Sequence, residues 1–189
     1  MQNIIFLDID GVLNSKFWDE EHQREISDGK LVDADAVRLL AGLVKKVDAK
    51  LILHSGWRFW FDENLEPLRP EAEHLITVMD QEGIRLDGVT PNLTTEGIRK
   101  SKKFSLVKAE EILLWLKENI ASANSDFSSN DETFKIDETS KDADFPANWL
   151  VLDDLDLHNG LIARHQVKPD PNVGLTHEDV RRALNILKL

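Results

Sequence analysis

Four aspartates stand in two tight groups, Asp8 and Asp10 as a D-x-D and Asp153 and Asp154 side by side. Each group directly follows a short apolar run, Asn3 to Leu7 in one case and Trp149 to Leu152 in the other. A lone aspartate after such a run is ordinarily the start of a turn. Two groups on separate runs in one small chain point elsewhere, because four carboxylates brought together would repel one another. A hard divalent cation offsets that charge, and magnesium (Mg2+) takes oxygen ligands in octahedral geometry. A third apolar run, Leu51 to Leu53, ends at His54, Ser55 and Gly56, with Arg58 just beyond. Ser55 offers a hydroxyl and Arg58 a planar cation suited to phosphate, although a Ser–Gly pair often serves only as a turn and an arginine as a surface charge.

Lys108 is the remaining candidate. It stands in the first turn of an expected helix, where the dipole opposes a cation unless an anion faces it. Arg99, Lys100, Lys102, Lys103 and Lys108 follow one another with no acid between them, a positive patch in a chain of net charge −12. His54, His158 and His165 lack metal-ligand spacing and read as structural or solvated. Trp57 and Trp60 flank Arg58 and could stack on a base or sugar, but packing is the simpler reading.

The elements that must position these residues follow from the apolar pattern. Asn3 to Ile9, Leu51 to Leu53, Ile84 to Val89, Trp149 to Leu152 and Leu161 to Val167 predict five strands, without helical period and buried on both faces. Asp33 predicts a helix cap ahead of the stripe Val37, Leu40, Val44, Val47. Pro70 suits the first turn of a helix to about Gln81, with Gly83 as its stop. Ser105 is expected to cap a long helix carrying Leu106, Ala109, Ile112, Leu113, Leu116 and Ile120. Thr176 and Asp179 form a capping-box pattern before the last helix. Residues 14–31 read as a loop or short flap. The acidic, Ser-rich stretch 121–147 reads as a mobile insertion within one domain spanning 1–189. Strands alternating with helices predict an α/β fold: a mostly parallel sheet with helices on both faces and its ligand site beyond the carboxyl ends of the strands.

The motifs resemble those of the haloacid dehalogenase-like (HAD) superfamily. The first is Phe6-Leu7-Asp8-Ile9-Asp10-Gly11-Val12-Leu13-Asn14, the second Leu51-Ile52-Leu53-His54-Ser55, and the fourth Trp149-Leu150-Val151-Leu152-Asp153-Asp154. The third is a lysine, matched by Lys108 with Lys102 or Lys103 as alternatives. The run DGVLN, Ser55-Gly56-Trp57-Arg58, Thr90-Pro91, Trp115-Leu116 and Gly174-Leu175-Thr176 resemble a small HAD subgroup found as domains in bacterial RNA-repair proteins. The resemblance implies a three-layer Rossmann-like fold with strand order 5-4-1-2-3 and a magnesium-dependent phosphatase. In that reading Asp8 is the nucleophile and Asp10 the general acid and base. Ser55, Gly56, Arg58 and Lys108 bind the phosphorylated substrate. Asp8, the Asp10 carbonyl and Asp154 hold the metal, with Asp153 in support. The presence of Asp10 favours phosphate-ester hydrolysis over dehalogenation. The intervals 15–50 and 56–107 leave no room for a large cap, and an open site suits a bulky substrate such as a nucleic-acid end or a phosphoprotein; a small nucleotide would use the flap or a partner as lid.

Composition excludes several classes. The chain has 189 residues and no cysteine, so disulfides and thiol catalysis are absent. No apolar run approaches about 18 residues, so no membrane helix is expected. Met1 to Gly11 lacks the basic segment of a secretory leader, and a cytoplasmic location is expected. The negative charge argues against long-range attraction to nucleic acid or anionic membranes by the molecule as a whole. A two-component receiver domain also groups acids, a hydroxyl and a lysine, but its acid pair follows the first strand and its phosphorylated aspartate a middle one. The non-enzymatic alternative is a HAD-like binding or regulatory module without activity. The intact acids weigh against it, as a cluster with no counter-charge would cost stability.

Overall fold

A computed structural model describes residues 2–15, 31–101, 104–120 and 148–187. Five parallel strands form one sheet: β1 (Asn3–Leu7), β2 (Ala49–Leu53), β3 (Gly88–Val89), β4 (Asn148–Leu152) and β5 (Gln166–Val167). Their order is β3-β2-β1-β4-β5, the expected 5-4-1-2-3 seen from the other edge. Around it lie α1 (Ala34–Val47), α2 (Pro70–Gln81), α3 (Glu96–Ser101), α4 (Phe104–Ile120), α5 (Gly160–His165) and α6 (His177–Ile186). A 3₁₀ turn, Gly56–Trp60, follows β2. Among the described residues there is no large cap and no helix long and apolar enough to cross a membrane. The expected flap at 14–31 falls mostly, and the insertion at 121–147 wholly, outside the described residues.

Side-chain alternation along the strands sorts the core into two layers. Ile5, Leu7, Leu51, Leu53, Leu150 and Leu152 pack with α1, α2 and α6. Ile4, Phe6, Ile52, Trp149 and Val151 pack with α4 and α5, and Trp115 meets Phe6 edge-on at 5.4 Å. The apolar stripe of α1 supplies Val37, Leu40, Val44 and Val47 to the first layer. Its start is capped by Asp33, which accepts from the amides of Asp35 and Ala36. The α6 capping box is formed by Thr176 and Asp179.

Three elements differ from expectation. Leu161 to His165 is helix, because Asn159 accepts from the amides of Leu161 and Ile162 and caps a turn there. Only Gln166 and Val167 pair as β5. The third strand shrinks to Gly88–Val89, since Asp87 has already taken the Leu51 amide with its carboxylate. Ser105 lies inside α4 rather than capping it.

Candidate active site

The sheet register aligns the candidate residues. Leu7 pairs with both Leu53 and Leu152, so the three central strands end level. The next residues, Asp8, His54 and Asp153, therefore form one row at the rim, on the side that alternation directs toward α4. Backbone bonds extend the sheet into this row, from the Asp8 amide to the Leu152 carbonyl at 2.9 Å and from the His54 amide to the Leu7 carbonyl at 2.7 Å.

From α4, Lys108 reaches into the row. Its Nζ donates to Asp8 Oδ2 at 2.5 Å and to Asp153 Oδ2 at 2.6 Å. Burial by itself would lower the pKa of the ammonium, but Asp8 and Asp153 outweigh it and hold the pKa above the ordinary range. Asp153 is fully buried; burial and the charge of Asp8 push its pKa up to about 7, against the pull of Lys108. Its second oxygen accepts from the Leu155 amide at 2.8 Å. Beneath lies His54, whose pKa is lowered well below the usual value by burial and then by Lys108 and Arg58. The neutral ring lies 3.4 Å from Thr90 Oγ1 and 3.7 Å from the Asp153 carboxylate, a structural place that agrees with its lack of metal-ligand spacing.

Asp8, Asp153 and Asp154 each present an oxygen within 4.8 Å of the others. The donors are all hard carboxylate oxygens. That set fits a divalent cation such as magnesium. Backbone geometry keeps the place open. Gly11 has φ +79°, and a Cβ there would sit 2.8 Å from Asp154 Cγ.

Asp10 lies on the exposed side of the row and is held by two side chains. Trp57 Nε1 donates to its carboxylate at 3.2 and 3.3 Å, and Asn14 Nδ2 donates to Oδ1 at 3.1 Å. Asn14 in turn accepts from the Gly11 amide and donates to the Leu31 carbonyl, closing the loop after β1. The Asp170–Leu175 turn braces that loop from outside, with the Leu175 amide on the Val12 carbonyl at 2.8 Å. Gly174, at φ +82°, lets the turn approach, since a Cβ there would lie 3.1 Å from the same carbonyl oxygen.

A cavity of about 640 Å³ opens over the row, lined by Asp8, Asp10, Ser55, Gly56, Arg58, Lys108 and Asp154 among others. Arg58 is buried; it donates to Glu111 at 2.7 Å and to the Ser55 carbonyl at 3.3 Å. Burial lowers the Arg58 pKa and raises that of Glu111, each offset in part by the other's charge. Glu111 also accepts from the Leu93 amide, so it ties α4 to the chain after β3.

The structure thus brings Asp8, Asp10, Ser55, Gly56, Arg58, Lys108 and Asp154 to one cavity, with Asp153 just beneath it rather than on its wall. Lys108 is the lysine found at the acids; Lys102 and Lys103 lie outside the described residues. Lys108 stands in the second turn of α4 rather than its first, so the acids govern its charge more than the dipole does. Lys100 does not add to a patch facing the cavity: it pairs with Glu96 at an exposed place. Sequence reasoning missed Glu111, Asn14 and the polar role of Trp57. Glu111 stands three residues after Lys108 and so shares its helix face, a signal that was legible. Asn14 is four residues from Asp10, but only the turn at Gly11 shows that they meet.

Comparison with known proteins agrees with this geometry. A family profile described as the HAD domain in Swiss Army Knife RNA repair proteins matches residues 4–180. No curated protein and no solved structure matches the chain.

Proposed function

The chain belongs to the family of HAD domains in Swiss Army Knife RNA repair proteins, and on that premise we propose that it is a magnesium-dependent phosphatase that forms an aspartyl-phosphate on Asp8. The observation that carries the proposal is the bridge of Lys108 between Asp8 and Asp153, with Asp10 held beside it by Trp57 and Asn14. The family's phosphatase-type hydrolysis needs a carboxylate kept ionised at the phosphorus and a second acid near the leaving oxygen. Lys108 sets a positive charge against Asp8. Trp57 and Asn14 aim the second.

An oxygen of Asp8 attacks the phosphorus of a phosphate monoester, and the ester P–O bond breaks. Asp10 gives its proton to the departing oxygen, so the leaving group departs as an alcohol. Asp10, now a carboxylate, takes a proton from water. The resulting hydroxide bonds to phosphorus, the Asp8–phosphorus bond breaks, and inorganic phosphate leaves with both acids restored. The Ser55 hydroxyl, the Gly56 amide, Arg58 and Lys108 offer donors to the phosphoryl oxygens, whose charge grows most demanding in the transition state. Asp8, Asp154 and the Asp10 main-chain carbonyl would hold magnesium, with Asp153 in support. The metal supplies positive charge that offsets repulsion between Asp8 and the phosphoryl group. The family's description places its members in RNA repair, so a nucleotide or an RNA end is the substrate class proposed.

The test is phosphate release from p-nitrophenyl phosphate, mononucleotides, 3′- and 5′-phosphorylated oligonucleotides and a phosphopeptide, in magnesium and in EDTA. Release that needs magnesium and is lost in Asp8→Asn is expected. Release unaffected by EDTA or by Asp8→Asn would refute the proposal. A folded protein that binds magnesium but hydrolyses nothing would favour the binding-module alternative.

A further inference from the structure

The cavity is far larger than a phosphoryl group needs, and its volume of about 640 Å³ lies in the range of pockets that enclose a whole small ligand. Besides the acids and cations, its lining includes Phe59, Phe104, Val107, Leu155 and Thr94. Two of these are large aromatic rings left open to solvent, Phe59 at 49% and Phe104 at 42%. Exposed aromatic surface gathered in a concave site, next to groups that could bind phosphate, marks a place for an apolar partner.

Phe59 is also held in place. The Arg58 guanidinium carbon lies 4.8 Å from its ring centroid, a cation–π contact. Arg58 is in turn fixed by Glu111 and by the Ser55 carbonyl, so its charge is already paired. Arg58 Nε is buried and has no hydrogen-bond partner. The cations lining the cavity among the described residues are Arg58 and Lys108, and both are matched by carboxylates. This wall offers a rigid aromatic face and little free positive charge. It suits one planar, neutral group rather than a run of further phosphates.

We propose that Phe59, with Phe104 as a second wall, forms a base-binding subsite, so that the substrate is a phosphorylated nucleoside, free or at the end of an RNA strand, whose terminal base stacks on Phe59. This rests on the phosphatase reading for the chemistry but adds the leaving group's identity. A phosphotyrosine would also present a ring, but that ring is bonded directly to the ester oxygen. A base stands a sugar's length away, and a cavity of this volume has room for that span. Neither ring belongs to a sequence motif; each was uninformative until the fold placed it on the cavity wall.

The test compares adenosine monophosphate, ribose 5-phosphate and a phosphotyrosine peptide as substrates of the full chain in magnesium. The readout is selectivity, the ratio of kcat/KM for the nucleotide to kcat/KM for the sugar phosphate. Phe59→Ala should lower that ratio roughly 5- to 150-fold, the range produced by losing one base–aromatic stack. Phe104→Ala should lower it less, and Phe59→Trp should keep it. A ratio that stays constant in Phe59→Ala while phosphate is still released would overturn the subsite and leave the phosphatase reading intact. So would a preference for the phosphopeptide that Phe59→Ala abolishes. Calorimetric binding of adenosine monophosphate and ribose 5-phosphate to Asp8→Asn, with and without Phe59→Ala, separates the two claims. Base-dependent binding lost with Phe59, in a protein whose wild type releases no phosphate, would uphold the subsite and refute the chemistry. Equal binding of both ligands would overturn the subsite.

Discussion

Replacing Lys108 by Met should destabilise the metal-free protein sharply at alkaline pH and much less at acid pH. The substitution keeps the stem of the side chain and removes the ammonium. Asp8, 5% exposed, and the fully buried Asp153 then lose the cation that stands 2.5 and 2.6 Å from them. Removing one partner of a buried ion pair costs about 3–5 kcal/mol. For a chain of this size that corresponds to a fall in Tm of roughly 6–20 °C. The pH dependence follows from Asp153. Its folded pKa, about 7, lies above its ordinary 3.8, so folding takes up a proton between those values. Stability due to this group is therefore fully present below about pH 4 and is lost as pH rises through about 7. Without Lys108 the folded pKa rises further. At pH 5 Asp153 is protonated in both proteins, and the variant loses little through it. At pH 8 the variant must carry two buried carboxylates with no ammonium, or hold a proton against the solvent. Thermal melts in EDTA at the two pH values, followed by magnesium addition, provide the assay. The gap in Tm should be wide at pH 8, smaller at pH 5, where only Asp8 is left without its cation, and partly closed by magnesium at pH 8. A variant within about 2 °C of wild type at pH 8, or one equally impaired at both pH values, would refute the electrostatic reasoning.

Two further perturbations test the surroundings of the acids. Gly11→Ala forces a Cβ to within 2.8 Å of Asp154 Cγ at φ +79°, so magnesium affinity by calorimetry should fall at least about tenfold, and stability by about 1–2 kcal/mol from the backbone alone. Unchanged magnesium affinity would show that Asp154 is not held at the metal's place. Trp57→Phe keeps most of the packing and removes the N–H that bonds Asp10 at 3.2 Å. It should lower kcat by about 10- to 100-fold and shift the pH–rate profile, while changing Tm by only a few degrees; a stable variant with full kcat would show that Asp10 needs no such support.

How far the sequence reached depended on whether a feature was local. Asp8, Ser55, Asp153 and Asp154 were legible because each stands within two residues of the end of an apolar run, and parallel strands must end on one rim. Leu161 and Ile162 misled, since two apolar residues fit a strand or a buried helical turn equally well, and the Asn159 cap decided it. The third strand misled for a tertiary reason: Ile84 and Leu86 are buried as a strand requires, but they pair with nothing in the sheet. At the site, Lys108 could not be separated from Lys102 and Lys103 by composition; its reach to two acids 45 and 100 residues away in sequence appears only in the fold. Phe59 and Phe104 were illegible because their meaning is their exposure, which a sequence does not record. Trp57 was legible as packing and not as a donor, since both roles need the same buried indole.

The central claim is a covalent phosphoryl group on Asp8. The direct measurement is acid quenching of the Asp10→Asn variant during turnover in magnesium, followed by mass spectrometry of the peptide that contains Asp8. With p-nitrophenyl phosphate the leaving group needs no proton from Asp10, whereas hydrolysis still lacks the base that activates water, so the phosphoenzyme should accumulate. One phosphoryl group on Asp8, removed by hydroxylamine and absent in Asp8→Asn, is the predicted result. Turnover without any adduct on Asp8, or an adduct on another residue, would contradict the account.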